Sequence, residues 1–421
     1  MTTDQGTLTD LAVRPVRGRT RGRSRRRRPV RRGLVVVHRW AALVLGLLLV
    51  IEASAGAVLL YNDQYFRATH ASFYRHTASA HPLTAQQAPA VVEAAHPGFE
   101  PAWVSADDGV LVVGDPAYTT AVAVDPGTGA INGSAALHGG LFGWLANLHE
   151  CALTCVGYPG YLAALAHPVP TLGLSALTGI TWGALLLGVL GLLPVLLAIS
   201  GIITWWPGLR RLGRGFRVRT GRGRFARDYD LHNLIGGIAV PALLMWGVTG
   251  AAFEFPAVSN IWLTITGGHA VSAAHEPTFT AHQAGANRID ITAAVTAARH
   301  QVGGDVRYLV LPTPDADYYQ VSMATGIQPY GNRAFYGGDV TVYVDANDAS
   351  HSSVVDAPAQ QPTANNFYSR VLEPAHFGWQ VNGWWRIVWV LFGLTPLALA
   401  LTGLSTWLIR RRTRRNRRVA R

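Results

Sequence analysis

The apolar positions of this chain gather into four long runs, at residues 33–60, 182–206, 231–253 and 387–409. Crossing a hydrocarbon core of ~30 Å takes about 20 helical residues, so each run is long enough. Four transmembrane helices are predicted, because a single segment in lipid satisfies its own backbone only as a helix. Between the runs the pattern changes. After the first, residues 84–95 read as a short helix capped by Thr84, and 111–113 and 121–124 as alternating strands. The turn Asp125-Pro126-Gly127 closes the second strand. After the third run, 290–300 read as a helix and 306–311, 318–323 and 340–344 as strands. The stretch 157–181 is apolar but broken by Pro159, Pro168 and Pro170, which suits an interfacial or re-entrant segment better than a span.

The two halves follow one plan. His38 precedes Gly56 by eighteen residues, and His232 precedes Gly250 by eighteen. Pro194, Gly201, Thr204 and Trp205 have the spacing of Pro396, Gly403, Thr406 and Trp407. Val122-Ala123-Val124-Asp125 echoes Val342-Tyr343-Val344-Asp345, so the repeat includes the polar regions. The expected fold is a membrane all-α core carrying two α+β domains on one side. The core is a four-helix bundle of duplicated two-helix halves. Its segments are a basic tail (1–32), helix 1 (33–61), the first α+β domain with its apolar pre-helix segment (62–181) and helix 2 (182–206). A basic loop (207–230), helix 3 (231–255), the second α+β domain (256–382), helix 4 (383–409) and a basic tail (410–421) follow.

Charge adds orientation. All 36 basic residues are arginine, in a chain of 421 residues with net charge +12. The first 32 residues hold eleven, the loop 207–229 eight and the tail 410–421 eight. The positive-inside rule puts both termini and the middle loop in the cytoplasm and the α+β domains outside, with the chain in the plasma membrane. An arginine cluster beside a spanning helix is explained by topology and anionic headgroups, so no nucleic-acid partner is implied.

Topology then sorts four histidines into two levels. His38 and His232 stand at the cytoplasmic ends of helices 1 and 3; His149 and His376 stand outside, before helices 2 and 4. Paired imidazoles in a membrane bundle suit haem iron with both axial positions filled, a site for electron transfer rather than oxygen binding. No Cys-x-x-Cys-His occurs, which excludes covalent c-type attachment and leaves haem b, one per level. Eighteen residues are five helical turns, so Gly56 and Gly250 lie on the faces of His38 and His232, where they could admit a flat ring. His138 and His167 are rival ligands for the outer level. Glu52, fourteen residues and about 21 Å beyond His38, reaches that level and is a candidate for tuning it. Arg39 and Arg386 are candidate partners for propionates. Cys151 and Cys155 are placed to form a disulfide outside. The remaining outside histidines, including His275 and His282, read as ordinary surface residues.

Several short motifs occur in a fixed order. His38-Arg39-Trp40 opens helix 1, and Trp144-Leu145-Ala146-Asn147-Leu148-His149 precedes helix 2. Asp230-Leu231-His232-Asn233 opens helix 3, and Glu373-Pro374-Ala375-His376-Phe377-Gly378 precedes helix 4. Together with Val-x-Val-Asp-Pro-x-Thr-Gly at 122–129, this order resembles the PepSY-associated transmembrane family of iron-regulated membrane proteins. The resemblance implies PepSY-like outside domains. It also implies a di-haem reductase of ferric siderophores or other ferric chelates. The chain lacks a Gly-x-Gly-x-x-Gly after a strand, so a cytoplasmic flavin reductase or quinol would supply the electrons. A regulator of an extracytoplasmic peptidase is the alternative, since PepSY modules accompany peptidase propeptides. A metal-ion transporter would call for more intramembrane carboxylates than Glu52 and Glu254.

Overall fold

The computed structural model describes residues 27–270, 279, 288–313, 315–325, 338–355, 361–378 and 383–419. His275 and His282 lie outside them.

The first spanning helix, α1, runs Arg27–Leu59. Beyond it come a short helix α2 (Ala88–Ala95) and four strands: β1 (Trp103–Asp107), β2 (Val110–Gly114), β3 (Thr120–Val124) and β4 (Ile131–Ala136). Helix α3 (Gly140–Cys151) leads towards the second span, α4 (Trp182–Trp205). The third span is α5 (Gly223–Glu254), followed by α6 (Pro256–Thr266) and α7 (Ile291–Gln301). Strands β5 (Asp305–Val310), β6 (Tyr318–Ala324), β7 (Val340–Asp345) and β8 (Ser352–Val355) follow. The chain ends with one turn of helix, α8 (Glu373–His376), and the fourth span in two pieces, α9 (Gly383–Gly393) and α10 (Thr395–Val419).

Among the described residues, four helical stretches are long and apolar enough to cross a membrane. Their outward residues, such as Val44, Leu47, Leu401 and Ile387, are exposed, which costs nothing against lipid tails. Small residues permit the close approaches inside. A methyl group on Gly191 of α4 would meet the Ala251 backbone of α5, and one on Gly247 of α5 would meet the Val195 side chain. Pro194 stays inside a continuous α4, whereas its counterpart Pro396 sits just after a break at Leu394. The shared proline therefore does not give the two helices the same shape. The 157–181 stretch does not span. It holds a short α-helix, Ala163–Ala166, a 3-10 turn, Ser175–Leu177, and a bridge between Pro168 and Thr181, with Leu162, Leu172 and Leu174 exposed.

The strands form one continuous antiparallel sheet in the order β4-β3-β2-β1-β5-β6-β7-β8. Its centre is the pairing of β1 with β5, Val104 opposite Leu309, and the Ser105 hydroxyl donates across it to the Arg307 carbonyl at 3.0 Å. The order reads as the same four-strand meander outward from the seam in both directions. Helices α2 and α7 cover one face. Ala88 and Val92 of α2 pack on Val104, Val113, Val122 and Val124; Ile291, Ala294 and Ala298 of α7 pack on Leu309, Val321, Val342 and Val344. Full burial of each such valine is worth about 1.5–3 kcal/mol. Phe66, Phe73 and Trp103 fill the first half's opposite face.

Asp290 caps α7, accepting from the Ala293 N–H at 2.8 Å. Thr84 behaves otherwise. Its backbone amide and hydroxyl donate to the side-chain Oε1 of Gln87 at 3.0 and 3.1 Å, and the helix begins only at Ala88. Arg67, in the short helix Asn62–Thr69 that follows α1, ties that helix to the end of β1 and its turn through ion pairs with Asp63, Asp107 and Asp108, each at 2.9 Å. Burial works against the Arg67 charge, but these carboxylates outweigh it and hold its pKa above the ordinary value.

Candidate functional site

The bundle brings four histidines together as two pairs. His38 of α1 faces His232 of α5 with ring centres 6.3 Å apart and planes at 77°. His149 of α3 faces His376, the last residue of α8, at 6.2 Å and 39°. Helix α1 serves both levels. His38 stands near its start and Gly56 beside the second pair, eighteen residues or about 27 Å along the axis.

Each ring rests on a glycine of another helix. Gly56 receives the ring of His149, and a methyl group there would overlap it. Gly250 receives His376, with 3.3 Å from a built Cβ to Cε1. A methyl group on Gly201 of α4 would stand 3.5 Å from Cε1 of His38, and one on Gly403 of α10 3.4 Å from Cε1 of His232. The eighteen-residue interval thus connects the histidine of one level to the imidazole seat of the other. Helical periodicity places Gly56 and Gly250 on one face of α1 and α5, and the rings that dock on them, His149 and His376, come from outside those helices. Gly201 and Gly403 were visible as repeat positions, and nothing local marked them as seats.

The hydrogen bonds of the rings run through Nδ1. His38 Nδ1 meets the Ser200 hydroxyl at 2.9 Å, His232 Nδ1 the Thr402 hydroxyl at 3.0 Å, and His376 Nδ1 the Thr249 hydroxyl at 2.7 Å. Each hydroxyl has already given its proton to the carbonyl one turn back, at Leu196, Ala398 and Met245 respectively. Each therefore accepts from an Nδ1–H. His149 Nδ1 lies 2.8 Å from Glu52 Oε1 and 3.0 Å from the Glu52 carbonyl, both acceptors. This network assigns the Nδ1–H tautomer to all four rings and leaves the Nε2 lone pairs for a metal.

The spacing fits that assignment. A metal–imidazole bond is about 2.0–2.1 Å and the ring centre lies roughly 1.1 Å behind its nitrogen, so two imidazoles sharing one metal have centres about 6.3 Å apart. Rotation about that axis is free, so the two plane angles can differ. Groups of three or more His, Cys, Asp or Glu that could hold a metal by themselves do not occur among the described residues. Two imidazoles at this centre-to-centre spacing suit a metal whose other positions a macrocycle fills.

Beside the first pair, Arg39 keeps its Nε buried without a hydrogen-bond partner, its guanidinium 5.7 Å from the Trp40 ring. An unpartnered buried donor there fits an anionic group such as a propionate. Arg386 lies over the Tyr61 ring at 5.6 Å, on the sheet side. His138 is not in the second pair; it stacks on Tyr158 at 3.9 Å. His167 follows a short helix, its carbonyl accepting from the Trp182 amide.

Fixed supports hold the second pair. Asn147, fully buried, accepts from the Cys155 amide at 3.0 Å and donates to the Pro159 carbonyl at 3.0 Å. Cys151 and Cys155 form a disulfide just beyond His149. The Trp389 indole donates to the Ala375 carbonyl at 3.1 Å, and Phe253 packs edge-on against His376. The two rings differ electrostatically. Burial disfavours a charge on His149, but Glu52 outweighs it and raises its pKa above the ordinary value. Burial, helped by His149, pushes His376 down to about 3.

The chain matches the family described as the PepSY-associated TM region over residues 35–410. No curated protein matches it.

Proposed function

The chain belongs to the PepSY-associated TM family, and from that premise we propose that it is a b-type haem protein of the plasma membrane. It passes electrons from a cytoplasmic donor to an extracytoplasmic acceptor, with ferric iron in a siderophore or other chelate as the favoured acceptor. Both termini are cytoplasmic in this reading, and the halves of the sheet are PepSY-like domains. The carrying observation is the set of four Nδ1–H imidazoles, paired at 6.3 and 6.2 Å on two levels of one bundle.

Haem b at both pairs would supply one-electron carriers at two depths of a ~30 Å core. The chain's own residues do the rest. His38 and His232 would hold one group, with Arg39 beside an acidic edge. His149 and His376 would hold the other. Ser200, Thr402, Thr249 and Glu52 fix the ring orientations and keep each Nε2 unprotonated. The glycine seats let the imidazoles approach the helix backbones. A ferric chelate at the sheet side would take one electron per iron, Fe3+ becoming Fe2+, which weakens its hold on oxygen ligands. The donor, a flavin reductase or a quinol, would deliver that electron at the arginine-rich side.

An optical spectrum of the detergent-purified protein, oxidised and dithionite-reduced, with a pyridine haemochrome assay, tests this. A b-type spectrum with two haems per chain is expected. A colourless protein from haem-replete cells would overturn the reading.

A further inference from the structure

Three of the four imidazole seats share a construction. A hydroxyl residue precedes the seat glycine and takes the Nδ1 proton: Ser200 before Gly201, Thr402 before Gly403, Thr249 before Gly250. The fourth seat departs from it. Ala55 precedes Gly56, and Nδ1 of His149 turns instead to Glu52, one helical turn earlier. By the repeat, Glu52 corresponds to Trp246 and Ala55 to Thr249. Glu52 is only 15% exposed, so water screens it little. The carboxylate of Glu52 therefore meets a metal-facing imidazole where the other three have a neutral oxygen.

We infer that Glu52 is a positioning residue that makes the His149/His376 site the lower-potential of the two haem sites and so the stronger reductant. This rests on the haem reading above. A carboxylate accepting from Nδ1–H makes the imidazole more electron-rich and more basic at Nε2. An electron-rich axial ligand favours the ferric state and lowers the reduction potential. A hydroxyl, whose own proton is committed elsewhere, does so more weakly. The asymmetry also defines an acceptor class. Ferric iron held by hard, multidentate oxygen ligands is stabilised against reduction, and the site nearest the sheet is the one built to reduce it.

The test is a spectroelectrochemical titration of the haem-loaded full chain, wild type beside Glu52→Gln. Glutamine keeps the size and an acceptor oxygen but removes the charge. Two components are expected in the wild type. In Glu52→Gln only the lower should move, upward. If both components stay in place, or both move equally, the inference is overturned while the haem reading stands. If Glu52→Gln sheds one haem, the missing component must be the wild type's lower one; loss of the higher one overturns the assignment. A wild type without haem would overturn the haem reading itself. Thr249→Val supplies the scale: it should move the same component by less than Glu52→Gln.

Discussion

The first pair of histidines is nearly symmetric and the second is not, although one repeat built both. His38 and His232 stand on equivalent helices, lean on equivalent glycines and donate to equivalent hydroxyl residues, Ser200 and Thr402. At the second level His376 follows the same pattern with Thr249 and Gly250. His149 instead reaches Glu52 and sits so close to Gly56 that no methyl group fits. Approach also differs: Trp246 and Trp389, from two spans, hold the carbonyls of His376 and Ala375, whereas His149 lies in the last turn of a helix pinned by Asn147 and a disulfide. A duplicated scaffold fixes where ligands can stand. Departures from the duplication show where the two sites were given different properties.

Removing the ligands breaks the comparison most strongly. His38→Ala or His232→Ala should cut haem from two to one per chain and abolish ferric-chelate reduction, as should His149→Ala or His376→Ala. The remaining spectrum should differ between the two pairs of variants, because each keeps a different site. If a His38 variant and a His232 variant leave different residual spectra, the two residues do not share an iron and the pairing is wrong.

The glycine seats come next. Gly56→Ala forces a methyl group into the His149 ring, and overpacking of this kind costs about 1–3 kcal/mol. Roughly a tenfold or larger loss of haem retention is expected, confined to the second site. Gly403→Ala meets His232 only at ordinary contact distance, and alanine in a helix gains up to about 1 kcal/mol over glycine. Haem content should be unchanged and thermal stability equal or higher. Equal losses in the two variants would show that the seats do not differ in tightness.

Hydroxyl removal is a smaller change. Ser200→Ala and Thr402→Val each take away an acceptor from an Nδ1–H, and second-layer changes of this sort typically cost 10–100-fold in metal affinity. Dissociation of haem to apomyoglobin measures it. Both variants should fall in that range and should spare the second site.

These contrasts also mark what the amino-acid pattern conveys. The spans and the two levels of histidine are readable because bilayer thickness and arginine placement are one-dimensional constraints. Strands 318–323 and 340–344 are readable from alternation. The seam between β1 and β5 is not, because pairing Val104 with Leu309 is a contact across about 200 residues with no local signature. For the same reason Gly56 and Gly250 could be placed on a face and read as room for a flat ring, while the imidazoles seated there, His149 and His376, could not be named. The partners Ser200, Thr402 and Thr249 were hidden because hydroxyls in a spanning helix ordinarily bond to the preceding turn. These three do so too, and accept the imidazole proton as well. Glu52 was legible as an exception, since an intramembrane carboxylate is costly unless something meets it.

The sheet repeats the contrast on a smaller scale. Asp125 follows the last residue of β3 and Asp345 ends β7, at matching sequence positions of the two halves. The Asp125 carboxylate accepts from the Thr77 hydroxyl at 2.7 Å and amide at 3.0 Å, the Gly127 amide at 2.8 Å and the Thr128 hydroxyl at 3.0 Å. Thr77 brings in the segment that crosses from α1. The Asp345 carboxylate accepts from the Asn347 amide at 2.8 Å, and from its side chain only at 3.4 Å. Asp125→Asn should therefore lower the thermal midpoint in detergent more than Asp345→Asn. The Thr77 and Thr128 hydroxyls, with the two amides, hold the Asp125 pKa well below the ordinary 3.8. A depressed folded value means the stabilisation is complete above the unfolded value and fades as pH falls through the folded one. The gap between wild type and Asp125→Asn should thus be the same at pH 7 and pH 6 and shrink as the pH drops below about 4. A gap that does not depend on pH down to strong acid would mean that shape, rather than the ionised carboxylate, holds this turn.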